Sequence, residues 1–260
     1  MSTVSVSTWA EFAANLVLGA IDVIEVTADL DCNDDIPTVA IGVNSNSGSL
    51  TINGNGHTLF NLTTNGGVGA PLFWLNVNTI VNELNLYNCA RTEAQNFFRS
   101  TSEIQPTFND CKIVGAAQVA LTYRGVFNRC SYTWRNIQGS ALHGACTFVH
   151  SWVHIDATRT SDNYGRAEIG VLNNSYLEGT WENNFGGTPS TLYTAAEMLS
   201  SVINVNYASS LAGASTMPDI SVGNISKAPN LVTGEKLKGA TDAGMKDASY
   251  LAALGFNIIS

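Results

Sequence analysis

One short phrase returns five times between Leu86 and Leu177, and it limits the fold more than anything else in the chain. It reads Leu86-Tyr87-Asn88-Cys89, Phe108-Asn109-Asp110-Cys111, Phe127-Asn128-Arg129-Cys130, Phe148-Val149-His150-Ser151 and Leu172-Asn173-Asn174-Ser175, with the fourth residues 22, 19, 21 and 24 positions apart. A large apolar residue three places before a Cys or Ser, at a period of about twenty residues, marks a solenoid, in which each repeat buries its apolar face by stacking on the next. The two-residue period of a strand then assigns the side chains. Phe108, Cys111 and Ile113 point inward, Asn109-Asp110 forms a bend, and Lys112 points outward. The same assignment puts Phe127, Cys130 and Tyr132 inside, then Phe148, Ser151 and Val153, then Leu172, Ser175 and Leu177. Asn and Asp suit the bend because they tolerate left-handed dihedrals and hydrogen-bond locally.

This pattern also disposes of the cysteines. Three of the five, Cys89, Cys111 and Cys130, share one repeat position, and Ser replaces them in the next two repeats. Interchange with Ser describes a small core position, so all five are read as reduced structural thiols with no metal or cofactor. The 260 residues are 45% hydrophobic but only 13% charged, which suits a β-rich chain with a polar, weakly charged outside. A net charge of −9 argues against nucleic acid, whose non-specific binding relies on Lys and Arg. No apolar run of about 18 residues predicts a membrane span. The start, Met1-Ser2-Thr3-Val4-Ser5, has no secretory pattern, so the expectation is synthesis in a host cytoplasm without a signal peptide and residence in a virion.

Three regions are expected. Residues 1–45 form an N-terminal cap, 46–208 the solenoid and 209–260 a C-terminal extension. In the cap, Thr8 and Glu11 have capping-box spacing, and Trp9, Phe12 and Leu16 fall on one helical face, with Gly19 as terminator. A strand follows over 21–26. The helix is read as a cover for the open end of the solenoid, in preference to a docking helix. The polar stretch from Asp29 to Ser49 is read as a solvated loop, since Asp31-Cys32-Asn33-Asp34-Asp35 lacks the calcium-loop spacing. Residues 195–199 are expected as a short helical turn and 202–205 as a strand. Residues 245–256 are expected as a short helix over the far end, and their Met-Lys-Asp-x-x-x-Tyr phrase resembles the close of some bacterial surface-repeat proteins.

Between these comes Leu50-Thr51-Ile52-Asn53-Gly54-Asn55-Gly56-His57-Thr58-Leu59-Phe60, two strands around a Gly/Asn turn. The helix, the strand ending near Asp29 and this Ile-Asn-Gly-x-Gly-His-x-Leu phrase resemble the opening coils of right-handed parallel β-helix proteins of the pectin-lyase-like superfamily. The resemblance covers residues 5–205 and is strongest to non-catalytic phage or virion-type members. It implies an all-β, single-stranded right-handed parallel β-helix, and assembly as a homo-oligomer, a trimer first.

Outward positions of successive coils form columns. The first runs Lys112, Ser131, Trp152, Tyr176; the second Val114, Thr133, His154, Glu178; the third Ala116, Arg135, Asp156, Thr180. His154 should therefore sit beside Glu178, Arg135 beside Asp156, and Trp152 beside Tyr176, a candidate surface for carbohydrate or a partner. No outward pair of acids on neighbouring coils meets the geometry of glycoside hydrolysis, and the Asp cluster of polysaccharide lyases is not evident. His150 and His154 have helical metal spacing but straddle a bend and a strand. The expected function is structural: a phage capsid-decoration, fibre or tail-associated subunit that assembles with other virion proteins and touches the host surface. The alternatives are a tailspike-like polysaccharide depolymerase and a carbohydrate-binding surface adhesin.

Overall fold

The computed structural model describes the backbone of residues 1–62, 71–91, 96–100, 104–117, 120–122, 124–136, 140–157, 166–173, 175–181, 193–207 and 224–225. Side chains are described for 1–62, 71–87, 98–100, 104–114, 124–133, 146–154, 173 and 175. All the strand pairings among them are parallel, and they form three ladders that the chain visits in turn. The first ladder stacks Thr3–Val6, Val23–Val26, Ser49–Asn53, Asn78–Asn82, Thr107–Asn109, Val126–Asn128, Ser140–Val149 and Arg166–Asn173. The second stacks Leu30–Asp31, Thr58–Phe60, Asn85–Arg91, Lys112–Ala117, Ser131–Asn136, Trp152–Ala157 and Tyr176–Trp181. The third stacks Ile41–Val43, Phe73–Leu75, Asn96–Ser100 and Ala120–Thr122. The long strand Tyr193–Tyr207 adds to both of the first two ladders. This is an all-β parallel β-helix.

Register mates along the first ladder are Ile24, Ile52, Val81, Phe108, Phe127, Phe148, Leu172 and Met198. Phe108, Phe127 and Phe148 stack face to face with centroids 5.0 and 4.7 Å apart. The Cys/Ser column beside them has a reason beyond small size. Cys111 Sγ donates to the Asn109 carbonyl (3.3 Å) and Cys130 Sγ to that of Asn128 (3.3 Å), while Ser151 Oγ donates to Val149 (2.9 Å) and Ser175 Oγ to Asn173 (2.8 Å). The position needs a short donor to tie off the strand end before the bend, and a thiol or a hydroxyl both supply one. Burial pushes the Cys130 thiol well above the ordinary cysteine range, and the adjoining Cys111 thiol adds to this, which disfavours the reactive thiolate at Cys130. Cys32, Cys111, Cys130 and Cys146 are all buried; the Cys89 side chain lies outside those described.

Three expectations need correction. Leu86 pairs with Ile113, so the true mate of Phe108 is Val81, and Glu83 and Leu84 stand opposite Asp110 and Cys111. The phrase at 86–89 matches the repeat by coincidence, and the real copy was hidden because Leu84 occupies the small-residue position. It fits there because the coil below supplies a glycine: a Cβ on Gly54 would fall on the Leu84 backbone. Residues 195–199 are strand, with Glu197, Met198 and Leu199 paired to Val171, Leu172 and Asn173. The open strand edge beneath overrides the local helical preference of Ala-Ala-Glu-Met-Leu. The stretch from Asp29 to Ser49 is also more than a loop, since it carries Leu30–Asp31, a 3-10 turn at Cys32–Asp34 and Ile41–Val43. The expected helix at 245–256 lies outside the described residues.

At the start of the solenoid, helix α1 (Trp9–Leu18) is built as its sequence predicts. Thr8 Oγ1 accepts from Glu11 N–H (3.2 Å), Glu11 Oε2 accepts from Thr8 N–H (3.2 Å), and Gly19 closes the helix at φ 66°. Its buried Trp9, Phe12 and Leu16 belong to the continuous core, with Phe12 edge-on to Phe73 at 6.4 Å. Among the described residues no helix is long and apolar enough to cross a membrane.

One carboxylate pins the first strand. Asp22 accepts from Ser2 N–H (2.8 Å), Ser2 Oγ (3.2 Å), Ser47 N–H (3.2 Å) and Ser45 Oγ (3.2 Å). These bonds, the Ser2 backbone donor first, bring its pKa down from 3.8 to about 2. A depressed folded-state value means that the stabilisation is complete above the unfolded value and disappears as pH falls toward the folded one. Thermal melts between pH 5 and pH 2 (on the order of the two pKa values) should therefore show a falling Tm for the wild type and a shallower fall for Asp22→Asn. Parallel curves for the two proteins would refute the assignment.

Candidate functional site

The register of the second ladder sets the predicted outward columns side by side. Lys112, Ser131, Trp152 and Tyr176 are mates, as are Val114, Thr133, His154 and Glu178, and Arg135 pairs with Asp156. The side chains of Arg135, Asp156, Tyr176 and Glu178 lie outside those described. His154 is half-buried. Trp152 departs from the expectation: it is fully buried, as is Ser131, yet it is not part of the continuous core that contains Val153. Alternation decides which side of a sheet a residue takes, but whether that side meets water depends on what covers it. Trp152 therefore offers no exposed ring for a ligand to stack on.

A second constellation lies at the bend between the first two ladders. The bend needs a residue in the left-handed region, and Glu83 (φ 49°), Asp110 (φ 55°), Arg129 (φ 53°) and His150 (φ 48°) take that place in four successive coils. Just before it, the last residue of each first-ladder strand is asparagine in four consecutive coils: Asn53, Asn82, Asn109 and Asn128. Their side chains form a continuous amide ladder. Asn82 Nδ2 donates to Asn53 Oδ1, Asn109 Nδ2 to Asn82 Oδ1 and Asn128 Nδ2 to Asn109 Oδ1, each at 2.9 Å. Glu25 closes the lower end, accepting from Asn53 Nδ2 (2.7 Å) and Asn55 Nδ2 (3.0 Å). At the upper end Val149 takes the ladder position and stops the run.

Part of this constellation lines an open cleft of about 490 Å³ whose walls are Asn53, Asn55, Asn82, Glu83, Asn109, Asp110 and Arg129. Arg129 spans one coil to Asp110 as a two-pronged pair, Nε to Oδ1 at 2.7 Å and Nη2 to Oδ2. That hydrogen bonding holds the Arg129 guanidinium above its ordinary value and fixes its orientation. Asn53, Asn82 and Asn109 each spend one N–H and one oxygen lone pair on the residues below and above, leaving a second of each for a ligand. The cleft thus repeats the same donor and acceptor at the coil spacing of about 4.8 Å. Both Asp110 oxygens are engaged by Arg129, so the neighbouring carboxylates Glu83 and Asp110 are not set up as the free acid and base of a hydrolase. The ladder is hidden in the sequence because Leu86-Tyr87-Asn88-Cys89 mimics the repeat five residues after its true copy. In true register, an Asn at 53, 82, 109 and 128 directly before the bend is the signal.

A family model described as a putative pectate lyase-like adhesive domain matches residues 3–183, a span that includes the cleft and its flanking strands. No curated protein and no solved structure gives a match.

Proposed function

Because this chain belongs to the pectate lyase-like adhesive domain family, we propose that it is a non-catalytic adhesive β-helix that attaches to a carbohydrate-bearing surface through the bend cleft. The observation that carries this reading is the amide ladder. It presents rigid, evenly spaced hydrogen-bonding groups whose geometry is set by the backbone, which favours recognition over chemistry. The proposed setting is the outside of a phage particle, where the chain would assemble with other virion proteins as a homo-oligomer, a trimer first, and contact the host. A cell-surface adhesin would use the cleft in the same way. The columns around His154, Glu178, Arg135 and Asp156 are proposed as a secondary contact surface for the same polymer or for a neighbouring subunit.

The test is retention without turnover. The full chain, passed over immobilised capsular and lipopolysaccharide preparations, is expected to bind and to release no new reducing ends. Release of reducing ends that disappears in the double variant His154→Ala, Glu178→Ala would replace adhesion by depolymerisation.

A further inference from the structure

The charge and repeat of the cleft narrow its ligand. Glu83 and Asp110 supply two carboxylates and Arg129 one guanidinium, and that guanidinium is already committed to Asp110. The lower end is closed by a third carboxylate, Glu25. A chain of uronic acids would bring its own carboxylates into this excess of negative charge with no unshared cation to meet them. Hydroxyl groups, by contrast, both donate and accept, and they match the remaining N–H and lone pair of every ladder amide. The groups recur once per coil, about 4.8 Å apart along the solenoid axis. An extended chain of β-linked pyranoses advances by nearly that step per sugar.

Resting on the adhesive reading above, we propose that the bend cleft takes a neutral, hydroxyl-rich, extended glycan lying parallel to the solenoid axis, one sugar per coil, and discriminates against acidic polysaccharides. Successive sugars hydrogen-bond to successive ladder amides, with Glu83 accepting from hydroxyls at the open side. The Arg129–Asp110 pair closes the upper part of the site, near where Val149 ends the ladder.

The experiment measures binding of cellohexaose, xylohexaose and hexagalacturonate to the full chain and to two variants. Glu83→Gln removes one charge from an exposed bend residue. Asn55→Gly removes one amide at a position (φ 52°) that glycine adopts without strain, together with its bonds to Glu25 and the Val26 carbonyl, so its Tm is measured beside its binding. At least one neutral hexamer is expected to bind about tenfold or more tightly than hexagalacturonate, a difference of about 1.4 kcal/mol. Glu83→Gln should narrow that gap from both sides, and Asn55→Gly should weaken neutral binding about threefold to tenfold, in line with loss of one hydrogen bond. Equal or tighter binding of hexagalacturonate overturns the proposal. So does neutral binding that both variants leave unchanged, which would move the site elsewhere while adhesion itself stands. If none of the hexamers binds but the chain still adheres to the immobilised polysaccharides, the neutral-glycan assignment fails alone. If the chain adheres to nothing, the adhesive reading fails with it.

Discussion

Phe127→Ala is expected to destabilise the protein by about 3–5 kcal/mol, the cost of emptying a fully buried aromatic site. Phe127 has no exposed surface and is the middle ring of a stack, 5.0 Å from Phe108 and 4.7 Å from Phe148, with interplanar angles of 7° and 11°. It also meets Tyr132 edge-on at 5.4 Å. Most cores relax partly around such a cavity, but this one has little freedom to do so. The coils above and below are held apart by parallel backbone pairing on both sides of the ring, with Phe127 itself registered to Phe108 and Phe148. The two outer rings cannot close the gap without breaking those hydrogen bonds. Urea denaturation should show the loss directly, and Phe127→Leu should recover a large part of it. A loss below about 1 kcal/mol would mean that the stack adds little beyond generic burial.

Gly54→Ala is the second large effect, and it acts on the cleft as well as on stability. A Cβ at residue 54 would lie 2.5 Å from the Glu83 carbonyl oxygen and fall on the Leu84 Cα. These are backbone atoms, so no rotamer change relieves the clash. The local chain is also pinned, because Gly54 N–H donates to the Asn82 carbonyl at 2.7 Å and Gly56 N–H to the Glu83 carbonyl at 2.8 Å. Overpacking of this kind costs about 1–3 kcal/mol or more. The strain would be released by moving the Ser49–Asn53 coil away from the Asn78–Asn82 coil, which separates Asn53 from Asn82 and breaks the ladder at the foot of the cleft. Gly54→Ala should therefore lower Tm and weaken neutral-glycan binding more than Glu83→Gln does. A variant with wild-type Tm would show that Leu84 is not seated on this glycine.

The two substitutions mark different degrees of legibility. Phe127 was readable as core from the sequence, because a Phe column beside a Cys/Ser column repeats in three consecutive coils. The capping box at Thr8 and Glu11 was readable too, since it depends only on neighbours within one helical turn. Gly54 was read as a turn residue, but its steric role depends on Leu84, thirty residues further along the chain. The copy at Val81-Asn82-Glu83-Leu84 breaks the small-residue rule, and this hides the Asn82 rung that joins Asn53 to Asn109. From Lys112 onward, alternation pairs the residues of the first two columns as the ladder does, yet it does not reveal that Ser131 and Trp152 are buried.

By itself the sequence determined the class of fold, the helix at its start, and the inward side of the repeat residues from Phe108 to Val153, Cys111 and Cys130 among them. Those properties follow from local period and residue chemistry, and they survive an uncertain register. Only the tertiary structure decided which asparagines share a ladder, that Asp110 and Arg129 pair across a coil, and that these groups line one cleft. Such facts depend on the offset between coils, which in the first ladder varies from 19 to 29 residues between mates such as Phe108 and Phe127 or Ile52 and Val81. In a solenoid with uneven coils, a slip of a few residues leaves the core pattern intact and scrambles every neighbour on the outside. That is why the repeat carries the fold, while the cleft exists only in three dimensions.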